Sequence, residues 1–189
     1  MKKETKITIA VIAVIAIIAI IVAVVVMNQK PKTNLDPINS AEDLSALIEK
    51  IYEGKEEQLP SLMTQIVDVT DNDYVKMVTG LDNGNDFEYI AVSEPMMSSQ
   101  AYSFVLAKVK EGVDADSVAK SMSEKIDPRK WICVTAEKIY ATSSGDVVCL
   151  VMSSEERAKP VYDEFKELAG NIGQEYEKTQ EEPSIEDFE

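Results

Sequence analysis

Ile7 to Met27 (ITIAVIAVIAIIAIIVAVVVM) carries no charge and one hydroxyl, Thr8. A helix of that length reaches about 30 Å, the thickness of a bilayer's hydrocarbon core. Lipid offers backbone N–H and C=O groups no partners, so the run is expected to be a spanning helix. A cleaved leader would have a shorter apolar core, followed by small residues. Here Val24-Val25-Val26-Met27-Asn28 offers no small-x-small pair, and the first Cys is Cys133, so no lipid-attachment Cys follows the run. The expectation is an uncleaved signal-anchor over 7–27. Lys2, Lys3 and Lys6 precede the run and Lys30 and Lys32 follow it. The basic side prefers the cytoplasm, which places 1–6 inside and the bulk of the chain outside the cell membrane. Ala19 and Ala23 form a small-xxx-small pair, ordinary in such spans.

The chain has 19 basic and 34 acidic residues, net −15. Without residues 1–27, which hold three Lys and Glu4, 16 basic and 33 acidic residues remain, net −17. Such a domain is repelled by nucleic acid and by anionic lipid. There is no His, which removes the commonest general base, metal ligand and pH switch. The two Cys are expected to be buried free thiols. With a turn over Ser143 to Asp146, Cys149 would lie opposite Tyr140 and not Cys133, which disfavours a disulfide across that hairpin.

Asn28 to Asn39 has two Pro and no apolar period, and reads as a stalk. Ser40 caps a helix whose stripe is Leu44, Leu47, Ile48, Ile51 and Tyr52. Thr70 or Asp71 caps a short second helix, stopped at Gly80, with Tyr74, Val75 and Val78 inward. Phe87 to Ser93 and Tyr102 to Lys110 read as strands, the second apolar on both faces like a middle strand. Asp114 opens a helix with Ala115, Val118, Ala119, Met122 and Ile126 inward. Ala136 to Thr142 and Val147 to Met152 form a hairpin. The last helix is expected to start near Lys159 or Pro160, after a separate turn at Ser154 to Arg157, because proline fits badly inside a helix. Residues 171–189 carry seven acids and one Lys without apolar period, and read as a disordered tail. The expected fold class is α+β: a transmembrane helix, then over 40–170 an antiparallel sheet in ββαββα order, with helices on one face and two extra N-terminal helices.

Glu94 to Ser103 (EPMMSSQAYS), Asp127 to Val134 (DPRKWICV) and Ser144 to Val147 (SGDV) resemble an uncharacterised domain family of bacterial surface proteins. Its members stand behind a membrane anchor or lipid-attachment site, mainly in Gram-positive lineages, and the likeness covers about 39–170. The resemblance implies a surface location and an accessory role, with relatives encoded beside membrane-bound acyltransferases that modify envelope polymers. It implies no agreed activity and no cofactor.

Two segments are candidate interaction surfaces. Met96 and Met97 form either an adaptable apolar contact or packing under a hairpin. Arg129, Lys130 and Trp131 are the one dense basic-aromatic spot. They read as an interface anchor, or as a Trp covering the core edge beside an Arg paired to a carboxylate. Asp68, Asp71, Asp73, Asp82 and Asp86 could face a hard cation, but their spacing matches no calcium loop and helix caps and turns explain them better. No catalytic or metal site is expected. The functional expectation is a membrane-anchored module that binds another cell-envelope component. The alternative is a carboxylate-dependent envelope enzyme acting on wall or acylated polymer.

Overall fold

The computed structural model describes residues 32–97 and 99–180. The chain divides into two units, Met1–Lys30 and Pro31–Glu189. The expected spanning helix over 7–27 lies outside the described residues. Among the described residues no helix is long and apolar enough to cross a membrane.

The described chain runs α1 (Ala41–Tyr52), β1 (Leu62–Val67), α2 (Asn72–Thr79), β2 (Phe87–Pro95), β3 (Ser103–Val109), α3 (Ala115–Lys125), β4 (Lys138–Ser144), β5 (Val147–Ser153), α4 (Glu155–Ala169) and β6 (Tyr176–Thr179). The α+β class stands, and the ββαββα order holds from β2 to α4; β1 and β6 are two strands beyond the four expected. The six strands form one antiparallel sheet in the order β1-β2-β3-β5-β4-β6. β3 and β5 fill its centre, and their alternate side chains are buried on opposite faces.

The helices lie on both faces of the sheet, not on one. Val75 and Val78 of α2 and Val118 and Met122 of α3 share one core. Leu44 and Ile48 of α1 and Val161 and Phe165 of α4 share the other. Topology explains the difference. α3 joins β3 to the parallel strand β4, across β5; α4 joins β5 to the parallel strand β6, across β4. Both crossovers step the same way across the sheet, but from strands running in opposite directions. Crossovers of one hand must then place their helices on opposite faces.

Local signals set the helix starts. Ser40 and Asp43 form a reciprocal capping box at α1. Asp71 caps α2 by accepting from the Tyr74 N–H, and Gly80 ends it at φ 77°. Asp114 caps α3. α4 begins earlier than expected, at Glu155, and Pro160 sits inside it. The stripe Ala158, Val161, Tyr162, Phe165 and Ala169 is buried across the proline. That burial outweighs one lost hydrogen bond near the helix start.

Both ends of the domain extend further than the sequence suggests. Thr33 to Asn39, expected to be stalk, straps onto the fold. The Asn34 N–H donates to the Ala169 carbonyl at 2.9 Å, Lys108 Nζ donates to the Ile38 carbonyl at 2.7 Å, and Ile38 is buried. At the other end, β6 pairs with β4 although its sequence, YEKT, has no apolar period. Asp116 of α3 fastens it, accepting from the Gln174 N–H, the Tyr176 hydroxyl and the Ser143 hydroxyl. The ordered chain therefore passes Gly170 into residues expected to be disordered; 181–189 lie outside the described residues.

The second hairpin turns on Gly145 and Asp146 alone, with Gly145 at φ 63° as a type II′ turn requires. Ser143 and Ser144 are strand residues, so Cys149 faces Thr142 and not Tyr140. Both Cys are free; Cys149 is buried, but Cys133 is exposed, against the expectation for the pair. Burial pushes the Cys149 thiol well above its ordinary pKa, which makes it inert. A thiol titration should therefore find one reactive group per native chain and two in denaturant. Two reactive groups in the native protein would show that β5 opens.

Candidate functional site

The loop between α3 and β4 runs from Asp127 to Glu137. Its base is closed by the Ala136 N–H donating to the Pro128 carbonyl at 2.9 Å, and Asp127 turns the entry by accepting from the Arg129 N–H at 2.9 Å. Gly80 lets the end of α2 lie directly on this entry, because any Cβ there would overlap the Ile126 backbone.

Lys130 points inward from the loop. Its ammonium pairs with Glu94 on β2, donates to the Ser103 hydroxyl on β3 at 3.1 Å, and reaches the Met77 carbonyl in the last turn of α2 at 3.4 Å. Ser103 in turn donates to Glu94 at 2.8 Å. The lysine also lies 5.4 Å from the centre of the Trp131 ring. The Lys130 side chain is 8% exposed and that of Glu94 17%. Burial lowers the lysine pKa, and the neighbouring carboxylate opposes that shift. One buried cation thus ties the loop to two strands and to a helix terminus whose carbonyl needs a donor.

The five residues singled out from the sequence are therefore not one basic-aromatic patch. Arg129 is exposed beside Asp127, at 3.9 Å. Lys130 spends its charge internally. Trp131 is half-buried and packs on the core edge. Met96 and Met97 are open to solvent, at 72% and 64%. Glu94, placed by sequence in a loop, is the penultimate residue of β2.

Sequence reasoning missed Met63, Met77 and Ile132. Among the described residues six large hydrophobic side chains are exposed: these three, Met96, Met97 and Ile66. All but Ile66 belong to segments gathered by the Glu94–Lys130 pair. Met63 is the register partner of Glu94, Met77 offers its carbonyl to Lys130, Met96 and Met97 follow the end of β2, and Ile132 lies two residues past Lys130. Scattered methionines carry no signal in a sequence until a strand pairing and a buried ion pair bring their segments together.

Chemically the arrangement holds rather than reacts. A Ser–Lys pair catalyses only if the lysine is neutral and the serine accessible. Here Glu94 stabilises the charged lysine and Ser103 is fully buried. Among the described residues no group of three His, Cys, Asp or Glu side chains could hold a metal. The loop aspartates serve locally: Asp68 accepts from Thr70, Asp71 caps α2, and Asp82 pairs with Lys76 at 2.8 Å. No protein-family model, no curated protein and no solved structure matches the chain.

Proposed function

We propose that this protein is a single-pass, anchored, extracytoplasmic module that binds another protein of the cell envelope through the surface around Trp131. The observation that carries this reading is the exposure of apolar side chains on neighbouring segments. Among the described residues, five of the six exposed large hydrophobic side chains sit on segments joined by the Glu94–Lys130 pair, the Lys130–Met77 hydrogen bond or the β1–β2 ladder. Exposed apolar groups gain by leaving water on binding, and methionines adapt their shape to a partner. The apolar run at 7–27 would keep the module beside its partner in the membrane. A membrane-bound acyltransferase is the first partner class to test, because the family resemblance implies one.

The test is purification of the intact protein from its own membranes in mild detergent, with covalent cross-linking and mass spectrometry. One stoichiometric envelope protein should be joined to residues near Ile132 or Met97. Ile132→Asp should weaken that association at least tenfold while changing stability by no more than about 0.5 kcal/mol, since the side chain is exposed. A partner held equally well by the variant would remove this surface from the reading.

A further inference from the structure

We infer that β1 is a docking edge that takes an extended, basic-flanked segment of the partner protein as a seventh strand. The inference rests on the binding role proposed above and names its mode of contact. β1 is the outermost strand, and among the described residues nothing pairs with its far side. All six of its residues pair with β2 without a bulge, so the strand is regular along its length.

Sheet edges normally carry a guard: a charge, a proline, a bulge or extreme shortness. The opposite edge, β6, has two of these. It is four residues long and carries Glu177 and Lys178, with Glu177 bridged to Lys138 at 2.7 Å. β1 has none. From Leu59 to Val67 (LPSLMTQIV) no residue is charged, in a chain where 28% are, and the one proline, Pro60, precedes the strand. Met63 and Ile66 are exposed on its opposite faces. Met63 lies beside Glu94, so the edge is continuous with the surface around Lys130 and Trp131.

Charge decides the occupant. Glu56 and Glu57 precede the strand; Asp68, Asp71 and Asp73 follow it. Two nearby cations are already engaged, Lys55 with Glu164 and Lys76 with Asp82. A second copy, paired antiparallel through β1, would set the acids before one strand against those after the other. Paired in parallel it would set like against like. A segment with an uncharged, β-branched centre and Lys or Arg at both ends matches the edge and its flanks.

The probe is a ten-residue peptide of alternating Val and Thr with two Lys at each end, titrated against the full chain in detergent. A control peptide keeps the four Lys but replaces each Val with Pro, which cannot join a ladder. The strand peptide should bind at least tenfold more tightly than the control and slow amide hydrogen exchange within 62–67. Ile66→Lys should abolish that difference. Equal binding of the two peptides would mean charge attraction alone and overturn the proposal, as would binding without protection of β1. If Ile132→Asp releases the cross-linked partner but Ile66→Lys does not, the binding role stands and strand addition falls. If the peptide docks on β1 but no envelope partner is found, the edge stands and the partner reading falls.

Discussion

Lys130→Met should lower the stability of the domain by about 3–5 kcal/mol, a large part of the ~5–15 kcal/mol typical of a small domain. The substitution keeps most of the packing volume and removes the charge and its donors. Glu94 is left desolvated, with Ser103 as its remaining partner, and the Met77 carbonyl loses its donor. The size of the effect is the penalty of an orphaned buried charge, not the worth of the pair. Glu94→Gln combined with Lys130→Met should therefore recover at least half of the loss, because a neutral amide can still accept from Ser103. Urea unfolding of the wild type, both single variants and the double variant measures this. A Lys130→Met cost below about 1 kcal/mol would show that water reaches the pair, and that the loop is not held as described. Hydrogen exchange over 127–137 should rise in the same variant.

Alkaline pH should unfold the domain steeply. Tyr102 is fully buried and donates its hydroxyl to Tyr52 at 3.0 Å; Tyr162 donates to the Ala141 carbonyl at 3.3 Å. Burial raises the pKa of all three above the ordinary value of 10. Above pH 10 the unfolded chain loses these protons and the folded chain keeps them. The stability they supply is thus complete below pH 10 and falls as pH rises beyond it. Each contributes a loss of about 1.4 kcal/mol per pH unit while its folded form stays protonated. The Tyr52–Tyr102 pair together with Tyr162 should remove several kcal/mol by about pH 12. Lys130 acts in the opposite sense. Between its lowered folded pKa and its ordinary 10.5 the unfolded chain holds more protons, so its contribution rises with pH and delays the fall. Urea midpoints from pH 8 upward, with tyrosinate absorbance, follow both. Stability that stays level while all seven tyrosines ionise would place these hydroxyls in contact with water.

The helices and inner strands were legible because their information is local. Ser40 and Asp43 are three residues apart and satisfy each other's backbone donors. Val147 to Met152 is apolar at every position because both of its faces are covered. The rest depends on distance along the chain. β1 shows no clear alternation, because Met63 and Ile66 are exposed apolar residues on opposite faces of the strand. β6 has no apolar pattern because Asp116, roughly sixty residues earlier, fixes it by hydrogen bonds. The choice of face for α3 and α4 lies in the handedness of crossovers, not in either helix's own stripe. Of the candidate surface, residue types were visible but roles were not. The pairing that buries Lys130 joins residues 36 apart. That pairing takes one of the two cations out of the apparent basic patch.

The sheet order also sets the timetable of synthesis. Among the described residues β6 is the last strand in chain order, and it covers the outer side of β4. Until about residue 180 has emerged, a nascent chain can assemble β1 to β5 but must leave β4 without its outer neighbour. Asp116 meanwhile waits in α3 for donors from Gln174 and Tyr176 that do not yet exist. The exposed stretch is Lys138 to Ala141, the span that β6 later pairs. Any factor that chaperones this protein during synthesis would have its most valuable binding site there, and would be displaced when β6 pairs with β4.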